Sequence, residues 1–234
     1  MDTVSAPYRN IILALILLAG AIVLGFWQTY FSVLSEAPVN AHAHGISMIL
    51  WLGLLLSQVI LIRSGRRDIH RQLGKTSYLL VPLIVVSTLS FANLNLVKDG
   101  LTPPRLYIFY IQLQLLIVFV IAYGSAIYWK RNQAMHMRFM ICTALTMIDP
   151  VVARVILFYV WEPSNFAYLQ MITYSITDII LLGLIFSNLK RERTLKVYPL
   201  MLGVFVLFQV PNFLITDSEA WRSFSNWFMG LPFS

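Results

Sequence analysis

The stretch HAHGISMILWLGLLLSQVILIRSGRRDIHRQLGK, His42 to Lys75, decides the class of fold. From Gly45 to Ile62 its polar side chains are Ser47, Ser57 and Gln58, and it carries no charge. That is the length and composition of a helix crossing a hydrocarbon layer about 30 Å thick. A histidine pair, His42 and His44, stands at its entrance. A basic turn with Arg63, Arg66, Arg67, Arg71 and Lys75 stands at its exit, and His70 lies within that turn.

Outward from this stretch the pattern repeats. Hydrophobic residues make up 59% of the 234-residue chain and charged residues 12%, about half the charge of a soluble domain. Seven apolar runs follow one another: Asn10 to Val33, His44 to Ile62, Thr76 to Val97, Leu106 to Trp129, His136 to Val160, Phe166 to Leu189 and Val197 to Thr216. The first run is too long for a signal core and no clean small-x-small cleavage site follows it, so it reads as a span. The expectation is an all-α integral membrane protein, one bundle of seven transmembrane helices over residues 1–234. A tail from Asp217 to Ser234, with Trp221, Phe224, Trp227 and Phe228, would lie at the membrane interface.

The net charge of +7 does not point to nucleic acid, because the cations sit in short loops between apolar runs. Three of those loops fall on one side. They hold the basic turn already quoted, then Lys130, Arg131 and Arg138, then Lys190, Arg191, Arg193 and Lys196. The opposite loops carry Glu36, Lys98, Asp99, Arg105 and Glu162. The positive-inside rule puts the basic loops and the amino end in the cytoplasm and the carboxyl end outside. A multi-pass protein of a bacterial cytoplasmic membrane is expected. The single cysteine, Cys142, lies inside an apolar run and reads as a small buried residue.

Polar residues within the runs are the candidates for function. Asp149 and Asp178 fall ~16–20 Å from the outer ends of their spans at 1.5 Å per residue. Gln58 reads at a similar depth, and Arg154 lies about a turn and a half from Asp149 toward the outside. Ionisable groups at that depth cost at least ~2.5–3.5 kcal/mol, so they face the bundle interior and pair with something. The plain reading is an Arg154–aspartate ion pair, which leaves one carboxylate over. The functional reading is a paired carboxylate site that holds or passes a proton. Asp149-Pro150 would also open the backbone near Thr146, which is tolerated inside a membrane where it lines a cavity.

Four histidines offer ligands. His70 and His136 each open a span at the basic face, and the plain reading is that they meet lipid headgroups and water. His42 and His44 form an HxH pair, a weak metal signal. Hydrolase, P-loop, CxxC and dinucleotide signatures are missing from the sequence.

The run His44-x3-Met48, the turn His70-Arg71-Gln72-Leu73-Gly74 and the later His136-Met137-Arg138 resemble two groups. One is a set of bacterial multi-span membrane proteins of unassigned function that share the HR-x-LG turn. The other is the diheme b-type transmembrane cytochromes linked to ascorbate, in which histidines on four consecutive spans hold two hemes. His44, His70 and His136 match the order of that second family over about His44 to Arg138. Leu106 to Trp129 holds no histidine, so the resemblance implies at most one heme b, on His70 and His136, with Arg63, Arg67 or Arg71 at its propionates.

Four functions compete. The first is a redox protein exchanging electrons with a quinol or small reductant through that heme. The second is a proton-coupled transporter using Asp149 and Asp178, with Gln58 and Arg154 at the substrate. The third is a metal-dependent enzyme acting on lipid through His42 and His44. The fourth is a non-catalytic subunit of a membrane complex. Whether the chain is an enzyme is left open by its sequence.

Overall fold

In the computed structural model, residues 5–161, 165–188 and 196–233 are described. Glu162 and the loop cations Lys190, Arg191 and Arg193 lie outside the described residues. Among those described, every regular element is a helix, and seven helices are long and apolar enough to cross a membrane. The expected number of spans is therefore met. The exposed side chains suit a lipid solvent: Leu17 is 73% exposed and Leu79 78%, which water would penalise.

The chain divides into two units, residues 1–91 and 92–234. The first holds α1 (Ser5–Phe26), a 3₁₀ turn (Phe31–Glu36), α2 (Val39–Arg63), α3 (Arg67–Gly74) and most of α4 (Ser77–Asp99). The first helix thus ends seven residues short of the expected Val33, and a separate turn follows. Pro38, with φ −68°, immediately precedes α2 and starts it. Gly65 ends it. There φ is +73°, and the glycine amide reaches Ile62 O at 3.1 Å while Arg66 N reaches Leu61 O at 2.9 Å. This paired closure of the last carbonyls requires a left-handed residue, which glycine supplies without steric cost. His70 consequently sits on a short helix of its own, α3, at the head of the third apolar stretch, Arg67–Asp99.

A polar seam joins α2 to α4 within this unit. Ser47 Oγ lies 3.1 Å from Ser87 Oγ, and Asn40 Nδ2 donates to Ser90 Oγ at 2.9 Å. Hydroxyls and amides that would be costly facing lipid satisfy one another between the helices. On the other side of α2 the Tyr30 ring lies on Gly45, where a Cβ would come within 2.9 Å of Tyr30 Cζ.

The second unit holds α5 (Pro103–Tyr128), α6 (Gln133–Leu145), α7 (Ile148–Val155), a π turn (Ile156–Val160), α8 (Phe166–Asn188), α9 (Val197–Gln209), α10 (Asn212–Ile215) and α11 (Glu219–Met229). Ala122 and Ala126 on α5 are fully buried, as is Cys142 on α6. They belong to a core that also takes in Phe139, Leu181, Met201 and Phe205. Small residues one turn apart let the helix backbones approach closely.

The fifth crossing breaks where the proline demands it. Pro150 has no N–H to offer Thr146 O, and α6 accordingly stops at Leu145 while α7 begins at Ile148. Thr146 turns its hydroxyl to Thr143 O at 2.8 Å. Pro211 divides the seventh crossing into α9 and α10 in the same way. The tail forms α11, whose aromatic side docks on α5: Trp221 and Phe228 lie 5.3 Å and 4.8 Å from the Phe109 ring. Asn93 Nδ2 donates to Phe228 O at 2.8 Å.

Candidate functional site: a buried polar cavity in the second unit

Helix α8 carries Gln170, Thr173, Tyr174, Thr177 and Asp178, spaced i, i+3, i+4, i+7, i+8. On an otherwise apolar helix this is one polar stripe. The first four of these residues are at most 5% exposed. A second, shorter stripe runs along the seventh crossing through Gln209, Asn212 and Thr216, all buried. Gln114 enters from α5 and Asp149 from α7, beside the helix break. A bilayer does not reward apolar helix faces for meeting, so such stripes close on one another.

Their meeting point is a narrow cavity lined by Gln114, Asp149, Tyr174, Thr177 and Gln209, with Phe205 among its apolar walls. It measures about 10 Å³, room for about one water-sized group. Asp149 is 2% exposed. Gln170 Nε2 donates to its Oδ2 at 2.5 Å and lies 2.9 Å from Thr173 Oγ1. The Tyr174 hydroxyl accepts from both Gln114 Nε2 and Asn212 Nδ2, the latter at 3.1 Å. That arrangement leaves the phenol proton to be donated. The other ends of the two amides, Gln114 Oε1 and Asn212 Oδ1, are buried without a hydrogen-bond partner among the described residues. The cavity thus offers one hydroxyl donor beside several acceptors.

Asp178 stands apart from Asp149. It lines a wider groove of about 220 Å³ between α8 and α9, together with Ser175, Val206 and Val210. Gln209 Nε2 donates to Asp178 Oδ1 at 3.2 Å. Tyr174 and Gln209 line both spaces. Arg154 directs Nη1 to Pro150 O, 3.0 Å away on its own helix.

Gln58 is not at the level expected. Helix α2 reaches back to Val39, so Gln58 lies 19 residues from that end and five from Arg63. With its amide oriented to satisfy both ends, Gln58 donates to His70 Nδ1 and to His70 O at 3.0 Å, and accepts from Gly74 N at 3.2 Å. An Nδ1 that accepts places the ring proton on Nε2, so neither nitrogen then offers a lone pair to a metal. His136 shows the reverse. Its Nδ1 donates to Ala126 O at 2.9 Å, which leaves Nε2 as the acceptor, the form that ligating histidines take. Arg63 and Arg71 are exposed.

His42 and His44 are two residues apart on α2, so their rings leave the helix ~200° apart. His42 Nδ1 pairs with Tyr30 Oη at 3.1 Å. His44 Nδ1 pairs with Thr88 Oγ1 at 3.2 Å, and the ring stacks on Phe91. The helix does not bring the pair together. Among the described residues no group of three or more His, Cys, Asp or Glu gathers as a metal site.

Comparison with family models, with curated proteins and with solved structures returns no match. The class the chain defines is that of a multi-pass helical membrane protein with a polar site inside one of its units.

Proposed function

We propose that this protein is a proton-coupled membrane carrier whose proton-binding group is Asp149. The observation that supports this reading is the placement of a carboxyl group in a cavity about one water molecule wide, at a depth of ~17 Å from the Val160 end of its span. Held by a neutral amide, the group can bind and release a proton, and the Tyr174 hydroxyl stands beside the same space to complete a relay. The break between α6 and α7 supplies a joint at which the two half-helices can tilt, the usual place for a solute-linked movement. We place the chain in a bacterial cytoplasmic membrane, its basic loops and amino end inside and its carboxyl end outside.

Proteoliposomes holding a trapped pH-sensitive dye test the reading. Outward gradients of small amines, alcohols and organic acids are imposed in turn. The wild-type chain is expected to move protons with at least one class, and Asp149→Asn, still monodisperse in detergent, with none. A wild-type chain that moves no protons with any of them overturns the proposal.

A second reading is supported by His136. Its acceptor Nε2 suits one axial position of a heme b, with a quinol as the electron partner. His70 does not suit the other position while Gln58 holds it. A purified sample lacking a heme absorption band removes this reading.

A further inference from the structure

We infer that the groove between α8 and α9 binds a membrane-dissolved alcohol or phenol, whose hydroxyl is received at the wall formed by Tyr174 and Gln209. This deepens the carrier reading, on which it rests, by naming the substrate class and its route of entry: from the lipid, sideways, rather than from water.

Three observations carry it. First, the groove and the inner cavity share one polar wall. Gln209 is 6% exposed and lines both spaces, and its amide Nε2 donates to Asp178 Oδ1 at 3.2 Å. A rotation of that single side chain joins the two spaces. Second, apart from Ser175 and Asp178 the rest of the groove is apolar, and it opens on the lipid side, where Met171 is 55% exposed and Val210 50%. Its volume of about 220 Å³ accommodates a ring or a short isoprenoid segment. Third, the inner cavity holds an unfilled demand. Gln114 Oε1 is buried and lacks a partner, and the Tyr174 proton has no acceptor among the described residues. A hydroxyl both donates and accepts, so the hydroxyl of an alcohol or phenol answers both groups within a space about one oxygen wide, in the place a water molecule would otherwise take. An ammonium would satisfy only the acceptors, and a ketone only the phenol. Asp178, half-buried at the mouth, takes the incoming hydroxyl proton as a hydrogen bond while Gln209 moves aside.

The full-length chain in vesicles of phosphatidylethanolamine and phosphatidylglycerol is irradiated with a diazirine-bearing farnesol, or with its methyl ether. Labelled peptides are identified by mass spectrometry. The alcohol is expected to label residues 171–178 and 206–213, to be displaced by unlabelled farnesol, and to outdo the ether. Asp178→Asn should lower that labelling roughly tenfold, the size of a lost hydrogen bond to a charged group. Ser175→Trp, which fills the groove from its exposed rim, should abolish it, and Leu79→Trp should not. Equal labelling by the ether, labelling spread evenly over lipid-facing positions such as Leu17 and Leu79, or no labelling at all would each overturn the inference. If labelling fails while Asp149-dependent proton movement persists, only this inference falls. If proton movement fails while specific labelling remains, the carrier reading falls and the ligand site stands.

Discussion

Gln170 on α8 donates to the Asp149 carboxylate on α7 across 2.5 Å, and both side chains are at least 96% buried. The proposed proton site therefore depends on an amide that does not itself line the cavity. Gln170→Leu should cost about 1.5–3 kcal/mol, because it leaves a buried carboxyl without its donor. Thermal unfolding in detergent measures this. The double variant Asp149→Leu with Gln170→Leu should recover part of the loss, since removing both partners removes the unmet demand.

Gly45→Ala brings a Cβ to 2.9 Å from Tyr30 Cζ. The ring must move, and the pairing of Tyr30 Oη with His42 at 3.1 Å goes with it. A loss of about 1–3 kcal/mol is expected, the ordinary cost of overpacking. Combining it with Tyr30→Ala should remove the clash, so the second substitution should cost less in the Gly45→Ala background than alone.

Asn93→Ala removes the amide that holds Phe228 O at 2.8 Å. Limited proteolysis should then cut within residues 219–233 faster than in the wild type. The fluorescence of Trp221, which donates Nε1 to Leu106 O at 3.1 Å, should shift to the red as the ring meets water. Unchanged cleavage and emission would show that the aromatic contacts with Phe109 suffice.

Cys142 is fully buried, so the wild-type chain should not react with an impermeant maleimide in intact cells. That silence makes single-cysteine mapping direct. S64C should react only after the inner face is exposed, and S218C from outside. The same side for both would overturn the proposed count of crossings, and the two sides exchanged would overturn their direction.

The crossings were legible because a hydrocarbon solvent imposes a demand that any sequence must display: about 20 apolar residues at a time. The break in the fifth crossing was legible for an equally local reason, the missing N–H of Pro150. The site was legible only in part. Asp149, Asp178 and Arg154 stand out as charges, yet the other residues lining the two spaces are uncharged. The signal that would have found Gln170, Thr173, Tyr174 and Thr177 was present as a helical stripe ending at Asp178. It is visible only when polar spacing is read along one helix instead of residue by residue. Gln114 shares its face of α5 with Tyr107 and Tyr110, residues that also suit a membrane interface, and only the packing reveals it. A depth counted from His44 sets Gln58 level with the aspartates, but the helix begins five residues earlier, at Val39. His42 and His44 looked like a pair in the linear order, and a helix turns such neighbours apart.

The docking of α11 on α5 has a bearing on biogenesis. Phe109, buried completely, is the shared neighbour of Trp221, Phe224 and Phe228, which leave the ribosome only after every crossing of the second unit has been made. Until then the opening of α5 presents a bare aromatic face. A chain halted early would keep it uncovered, a mark by which quality-control proteases could tell an unfinished molecule from a finished one.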